Sequence, residues 1–234
     1  MMGSQVSHKT RNLIIAVLPI LAGLICLGIG RYSVSIQETI RILFSGITGY
    51  EPDPTAYTVI FNVRLPRILL AVLVGAGLSC SGAAFQGLFS NPLATPDTLG
   101  VASGASFGAV LGLLMHGNLV TVQLLALLFG VISCFITYSI SRRNGKSSIV
   151  MIVLAGMVIS AIFEALVSLM KYVADPEEEL PTITYWLMGS LTSANMRHIA
   201  MVFPIMLVGC ATLFALRWRI NILTMGDDEA ATRA

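Results

Sequence analysis

Residues 149–170 read IVMIVLAGMVISAIFEALVSLM, an apolar run in which Glu164 is the only charged side chain. About 20 apolar residues in a helix match the roughly 30 Å hydrocarbon core of a bilayer. Lipid offers no partner for backbone N–H and C=O groups, so a run of this kind is expected to be an α-helix. The stretch therefore predicts a transmembrane helix and, with it, an all-α fold.

The rest of the chain has the same character. Of its 234 residues, 56% are hydrophobic and 11% are charged, whereas charged residues make up about 25% of an ordinary soluble domain. Five more apolar runs occur, at 13–30, 68–89, 98–115, 119–140 and 199–216. We therefore predict a polytopic membrane helix bundle of about six transmembrane helices, forming a single transmembrane domain over residues 1–234.

Charge and cysteine usage exclude several classes of function. The net charge is +2 and no Lys/Arg-rich run occurs, which excludes a nucleic-acid partner. The four cysteines lie far apart in apolar runs and are interpreted as packing residues, so no metal site is predicted. Gly145-Lys146-Ser147 imitates the end of a phosphate-binding loop, but Ile140 stands where that motif needs glycine. The residues predict neither an enzyme nor an ATP site.

Basic residues indicate the orientation. Lys9 and Arg11 precede the first run, and three basic residues lie in segment 141–148. Such residues are enriched in cytoplasmic loops, and four predicted spans separate the two positions, so both indicate a cytoplasmic N-terminus. Arg64 and Arg67 then fall on the outer face, against the rule. From the residues alone, they are interpreted as anchors for lipid phosphates.

Small residues recur at intervals of four in two neighbouring spans. The span at 98–115 carries Gly100, Gly104, Gly108 and Gly112 on one face. The span before it has small residues at the same interval from Ala71 to Gly87. Because small side chains let a neighbouring backbone approach closely, both helices are predicted to be buried in a compact bundle.

Glu164 lies well inside its span, where a charge costs about 2.5 kcal/mol or more. Helical spacing places Gly156, Ser160 and Ser168 on the same face. We predict that this polar stripe borders a water-filled translocation pathway. The alternative is that Glu164 reaches the outer interface, or is protonated and bonded to a neighbouring helix.

Four parts of the sequence form a recognisable set. They read RLPR at 64–67, GAAFQ at 82–86 with NPLATP at 91–96, YWLMGS at 185–190, and GDDEA at 226–230. In order and spacing, over nearly the whole chain, they resemble one family, the FecCD-type permeases, which import ferric siderophores, haem and cobalamin.

The resemblance implies the first six helices of a ten-helix permease in a bacterial inner membrane, surrounded by lipid. It implies a permease homodimer or heterodimer that works with two cytoplasmic ATPase subunits and a substrate-binding protein outside. The ATPases would hold ATP and Mg, and this chain would bind no cofactor of its own.

The resemblance also assigns roles to two segments. Arg64 and Arg67 are expected to pair with carboxylates of the binding protein. Gly226, Asp227, Asp228, Glu229 and Ala230 are expected to form the coupling helix seated in the ATPase, with two aspartates where the family usually has glutamates.

The favoured function is therefore the permease subunit of an ABC importer for an iron-siderophore, haem or cobalamin. A run that begins a coupling helix and ends at Ala234 is expected of a truncated permease, so a non-transporting membrane fragment is a first alternative. An ion-coupled secondary transporter, with Glu164 as its coupling carboxylate, is a second. The sequence does not indicate whether the cargo is an iron-siderophore, haem or cobalamin.

Overall fold

The computed structural model describes residues 8–92, 94–143, 146–147 and 149–223. These residues are almost entirely helical and fall into two compact units. The first unit runs to Leu78 and adds Leu191–Gly209, and the second comprises Ser79–Ser190 and the chain from Cys210. The predicted fold class, all-α, is therefore confirmed for the described residues.

The first unit begins with an apolar helix, followed by a cap of short helices. The elements are α1 (His8–Gly28), α2 (Ile36–Leu43), α3 (Ser45–Thr48), α4 (Pro54–Thr58), a π-helical segment (Val59–Arg64) and the start of α5 (Leu65–Leu88). Side chains fix two of the helix starts: Ser35 accepts a hydrogen bond from the backbone N–H of Glu38 at 3.1 Å, and Asp53 accepts one from that of Ala56 at 2.9 Å. The cap closes over a buried apolar cluster of Leu27, Val34, Ile42, Ala56 and Ile60.

The second unit is a helical bundle. After the end of α5 it contains a 3₁₀ turn (Pro96–Leu99), α6 (Val101–Leu114), α7 (Leu119–Ser141), the two-residue strands β1 (Arg142–Arg143) and β2 (Lys146–Ser147), α8 (Ile149–Val173), α9 (Glu179–Met188) and the end of α10 (Met196–Leu223). The strands pair antiparallel and form a small hairpin. Helices α6, α7 and α8 pack against one another, and α9 packs on α6.

Five of the described helical stretches are long and apolar enough to cross a membrane: Lys9–Gly28, Pro54–Leu88, Leu119–Ser141, Ile149–Val173 and Met196–Asn221. The one predicted span that is missing from this set, 98–115, contains α6, which has 14 residues. At 1.5 Å per residue α6 is about 21 Å long, shorter than the roughly 30 Å hydrocarbon core. The count of six spans is therefore not confirmed.

Glycines on one face bring α6 against the backbone of α7. A Cβ placed on Gly104 would lie 2.7 Å from the carbonyl oxygen of Phe129, and one on Gly108 would overlap that of Leu125. At Gly112 it would approach the Cα of Val122 to 3.0 Å. The predicted small-residue ladder of this helix thus faces a neighbouring backbone with no room for larger side chains.

Gly100 ends the 3₁₀ turn and begins α6. Its φ of +69° is a left-handed conformation that glycine adopts without strain. Two hydroxyl groups of α7 satisfy the carbonyls at this break: Ser133 donates to the oxygen of Gly100 at 2.7 Å, and Thr137 donates to that of Leu99 at 3.0 Å. A change of helix direction at membrane depth is tolerated where side chains provide such partners. Helix α6 therefore begins at Val101, three residues inside the predicted span 98–115.

The corresponding ladder of α5 has a different environment. A Cβ on Gly75 would meet no other atom within 4 Å, and Ala71 and Ser79 are exposed. Within the described residues, the first three positions of this ladder thus lack the close neighbours that the spacing predicted. Spacing indicates that a helix face can be approached closely, but it does not identify what approaches it.

Candidate functional site

A polar cleft opens beside α8 in the second unit. Its residues come from the 3₁₀ turn, α6 and α8, and its two adjoining parts have volumes of about 390 Å³ and about 400 Å³. Glu164, Asp97 and Ser103 line both parts. The 3₁₀ turn that ends at Gly100 contributes Asp97 and Thr98 to this cleft, together with Thr95, the residue that precedes the turn.

Glu164 is bonded within the cleft. The hydroxyl of Ser103 on α6 lies 3.3 Å from Oε1 of Glu164 and donates to it. Ser168 donates to the main-chain oxygen of Glu164 at 2.9 Å. A carboxylate at membrane depth is stabilised by polar neighbours, and Ser103 is one of them.

The structure divides the predicted polar stripe of α8. Ser160 and Ser168 lie with Glu164 along the cleft. Gly156 is buried, and a side chain there would overlap the carbonyl oxygen of Thr98. Gly156 therefore holds α8 against the 3₁₀ turn and does not line the cleft. Helical spacing places the four positions on one face, but it does not distinguish a glycine that packs against a neighbouring backbone from one that lines a cleft.

Three polar residues of the cleft, Asp97, Ser103 and Ser106, were not assigned to a pathway from the sequence. A signal was present, because Ser103 and Ser106 are three residues apart and so lie on one face of α6, while the glycines occupy another.

The lining of the cleft is acidic. Asp97 and Glu164 carry its charges, and no Lys, Arg or His is found among the residues that line either part. Hydroxyl groups supply most of the other polar atoms, from Thr95, Thr98, Ser103, Ser106, Ser160 and Ser168. The cleft therefore favours cationic groups and hydrogen-bond donors over bare anions.

The two arginines predicted to dock a partner have different environments. Arg64 is only 8% exposed, and its Nη1 donates to the carbonyl oxygen of Leu27 at 2.5 Å. Arg67 is half-buried, and its Nη2 donates to the carbonyl oxygen of Thr192 at 2.8 Å. The Nε of Arg67 is inaccessible and has no hydrogen-bond partner within the described residues. Docking by these residues stays a prediction, and Arg64 would have to leave its carbonyls to take part.

The predicted coupling segment, Gly226 to Ala230, lies outside the described residues. Helix α10 is described as far as Leu223, three residues before it. The assignment of Gly226, Asp227, Asp228, Glu229 and Ala230 to ATPase coupling stays a prediction.

The described residues are almost entirely helical, with five membrane-length apolar helices and a polar cleft beside a carboxylate in one of them, which places the chain in the class of polytopic membrane permeases. The FecCD transport family matches residues 17–233, and the chain belongs to this family. The resemblance noted from the sequence motifs is thereby confirmed.

Named relatives are permeases of several import systems. The chain is 41% identical over 216 residues to the molybdate import system permease protein MolB of Haemophilus influenzae, covering 92% of this chain and 64% of that protein. It is 35% identical over 179 residues to the cobalamin import system permease protein BtuC of Halobacterium salinarum, covering 76% and 48%. It is 37% identical over 176 residues to the hemin transport system permease protein HmuU of Yersinia pestis, covering 72% and 52%.

A solved structure has the same fold. It is described as an inward-facing conformation of a putative metal-chelate type ABC transporter, and it matches with a TM-score of 0.81 and 37% identity. The match covers 96% of this chain and 68% of the solved chain. The chain is thus a multi-pass membrane protein of the ABC permease class, and it spans about 64% of the length of MolB.

Proposed function

We propose that this chain supplies the translocation pathway of an ABC importer energised by a separate ATPase. The observation that carries the proposal is the cleft around Glu164, because it places a carboxylate and several hydroxyl groups beside an apolar span in a chain of a permease family. In this proposal Ser160, Glu164 and Ser168 border the pathway, together with Asp97 and Ser103. Helix α6 and the 3₁₀ turn together serve as the third of six crossings in a ten-helix fold.

For the cargo, we propose a metal chelate of the iron-siderophore, haem or cobalamin class. The acidic lining of the cleft supports this choice, since a chelate can present cationic or hydrogen-bond-donating groups to Asp97 and Glu164. Relatives named for cobalamin and hemin import are consistent with it.

Molybdate is the second candidate, favoured by the 41% identity to MolB. A free oxyanion would have to pass two carboxylates without a basic side chain among the described lining residues, which is electrostatically unfavourable. Other parts of an assembled permease would then have to supply positive charge.

The remaining assignments follow the family. The proposed complex contains two permease subunits, two ATPase subunits that hold ATP and Mg, and a substrate-binding protein on the side of the RLPR segment at 64–67. The proposed location is the bacterial inner membrane, with the N-terminus in the cytoplasm. Asp227, Asp228 and Glu229 are proposed to couple the permease to the ATPase.

Reconstitution tests the proposal. The chain would be placed in proteoliposomes with the ATPase and binding protein of its own transport system, and ATP hydrolysis and uptake would be measured with ferric siderophore, haemin, cobalamin and molybdate. Hydrolysis stimulated by a loaded binding protein supports the ABC permease. Hydrolysis that is unaffected by the chain would instead favour a non-transporting fragment, and uptake driven by an ion gradient without ATP would favour a secondary transporter.

A further inference from the structure

The side chain of Arg64 is buried and forms its hydrogen bonds within the protein. Arg64 is the last residue of the π-helical segment and 8% exposed, so its guanidinium lies away from solvent. Nη1 donates to the carbonyl oxygen of Leu27 at 2.5 Å, and Nη2 donates to that of Tyr32. These two oxygens belong to the end of α1 and to the loop that follows it.

The acceptors suit a buried cation. Leu27 lies in the last turn of α1, where carbonyl oxygens have no partner within the helix. The C-terminal end of a helix also carries a partial negative charge, which stabilises a guanidinium placed there. No carboxylate forms an ion pair with Arg64 among the described residues, so these carbonyls are what offset the loss of its hydration.

Gly30 provides the space for this arrangement. A Cβ on Gly30 would lie 2.6 Å from Nη2 and 3.0 Å from Cζ of Arg64. Gly30 is not among the glycines with positive φ, so alanine would fit its backbone conformation. The cost of a side chain at Gly30 would therefore come from displacing the guanidinium.

The loop held by Arg64 is tied to the rest of the cap. The hydroxyl of Tyr32 lies 3.5 Å from Oδ2 of Asp53, and Asp53 caps α4. Ile60, one turn before Arg64, is fully buried in the cap's apolar cluster. A single guanidinium thus links α1, its loop and the π-helical segment.

We propose that Arg64 is an internal clamp for this cap, and that the positive charge offered by segment 64–67 to an acidic binding protein belongs to Arg67. The second half rests on the proposed docking function, and the first half does not. Arg67 is more exposed than Arg64, and among the described residues it donates to the carbonyl oxygen of Thr192, whereas Arg64 donates to two carbonyls. In this proposal only one of the two arginines predicted to dock does so: Arg67 contacts the partner, and Arg64 stabilises the cap.

Chemical labelling tests the clamp on the chain alone in detergent. Phenylglyoxal modifies accessible guanidinium groups, and peptide mass spectrometry reads the modified sites. Arg31, which is exposed, serves as the internal positive control. We expect Arg64 to be protected severalfold relative to Arg31 in the folded chain and to react equally after unfolding in dodecyl sulfate. Equal reactivity of Arg64 and Arg31 in the folded chain would overturn the clamp.

A double-mutant cycle tests the same contact by stability. Arg64→Gln and Gly30→Ala should each lower the melting temperature in detergent by several degrees, and the double variant should lose clearly less than their sum because both changes act on one contact. Arg64→Lys keeps the charge and should recover part of the loss. Arg31→Gln is the matched control, because Arg31 is exposed, and it should leave the melting temperature almost unchanged. Additive losses, or no loss for Arg64→Gln, would contradict the proposal.

Salt dependence separates the two arginines in docking. The affinity of the binding protein from the same transport system would be measured from 50 mM to 500 mM NaCl, because a charge–charge contact weakens with ionic strength. Arg67→Gln should weaken binding at low salt and flatten its salt dependence, whereas Arg64→Gln should leave that dependence unchanged. An equal flattening by both variants would overturn the division of roles. A wild-type chain that binds no binding protein would refute the proposed docking, and labelling would still decide the clamp.

Discussion

The hydroxyl of Ser103 on α6 donates to Oε1 of Glu164 on α8 across 3.3 Å. This bond joins two helices at a carboxylate within an apolar span, with the polar cleft on either side. The negative charge of the proposed pathway is carried by Glu164 and Asp97, while the serines around them supply hydroxyl groups.

Replacing Glu164 with Gln should reduce ATP-driven uptake by the reconstituted complex at least severalfold without changing expression. The amide keeps the shape of the side chain but removes the negative charge proposed to attract cationic cargo groups. Uptake of radiolabelled cargo into proteoliposomes measures the effect. Glu177→Gln is the control, since Glu177 is exposed beyond the end of α8. Uptake equal to wild type in Glu164→Gln would remove Glu164 from the pathway.

Replacing Gly108 with Ala should destabilise the fold. The new Cβ would overlap the carbonyl oxygen of Leu125, so α6 and α7 would have to separate. Overpacking of this kind costs about 1–3 kcal/mol. The free energy of unfolding, measured by dodecyl sulfate titration, should fall by that amount.

Gly82→Ala is the matched control for this change, because nothing lies within 4 Å of a Cβ at that position. It should leave the free energy of unfolding unchanged or raise it slightly, since alanine is a better helix former than glycine. Equal losses for the two variants would show that close contact between α6 and α7 is not the cause.

Replacing Thr137 with Val should cost about 0.5–1.5 kcal/mol of stability, because it removes the donor to the carbonyl oxygen of Leu99 while keeping the side-chain volume. Combination with Ser133→Ala should cost more, as the break at Gly100 then loses both hydroxyls. Unfolding in dodecyl sulfate is again the measurement. Ser139→Ala, which removes only a bond within exposed α7 surface, is expected to be neutral. A neutral double variant would argue that water replaces both hydroxyls.

Charge reversal of Asp227, Asp228 and Glu229 to Lys should abolish stimulation of the ATPase while leaving the chain expressed and folded. Removal of three negative charges would break the proposed electrostatic contact with the ATPase cleft. Hydrolysis of ATP by the reconstituted complex measures the change, with Glu177→Lys as the control on the opposite side. Normal stimulation in the triple variant would place the coupling contact elsewhere.

Hydropathy predicted the long helices well where they are uniformly apolar. The spans 119–140 and 149–170 correspond to Leu119–Ser141 and Ile149–Val173. The span 68–89 was predicted too short, because the structure continues the helix back to Pro54 through polar residues that a hydropathy argument assigns to a loop. Helices α2 and α9 were missed for a similar reason, since both lie in segments of mixed polarity.

The site was partly predictable. Glu164 stands out in any apolar run, because an isolated charge there has a high cost. The positions of Asp97 and Ser103 depend on the turn at Gly100, and a sequence does not reveal the direction in which a helix leaves such a turn. The burial of Arg64 depends on the end of α1 lying next to it, which is a tertiary contact between residues 37 positions apart.

The glycine face of α6 also has a dynamic consequence. Gly104 and Gly108 themselves have no side-chain rotamers, so these two positions of the contact with α7 lose no side-chain entropy on forming. Two helices in such close contact are expected to move as one rigid body in collective motions. If the cleft changes width during a transport cycle, spin-label distances between α6 and α7 should therefore remain constant.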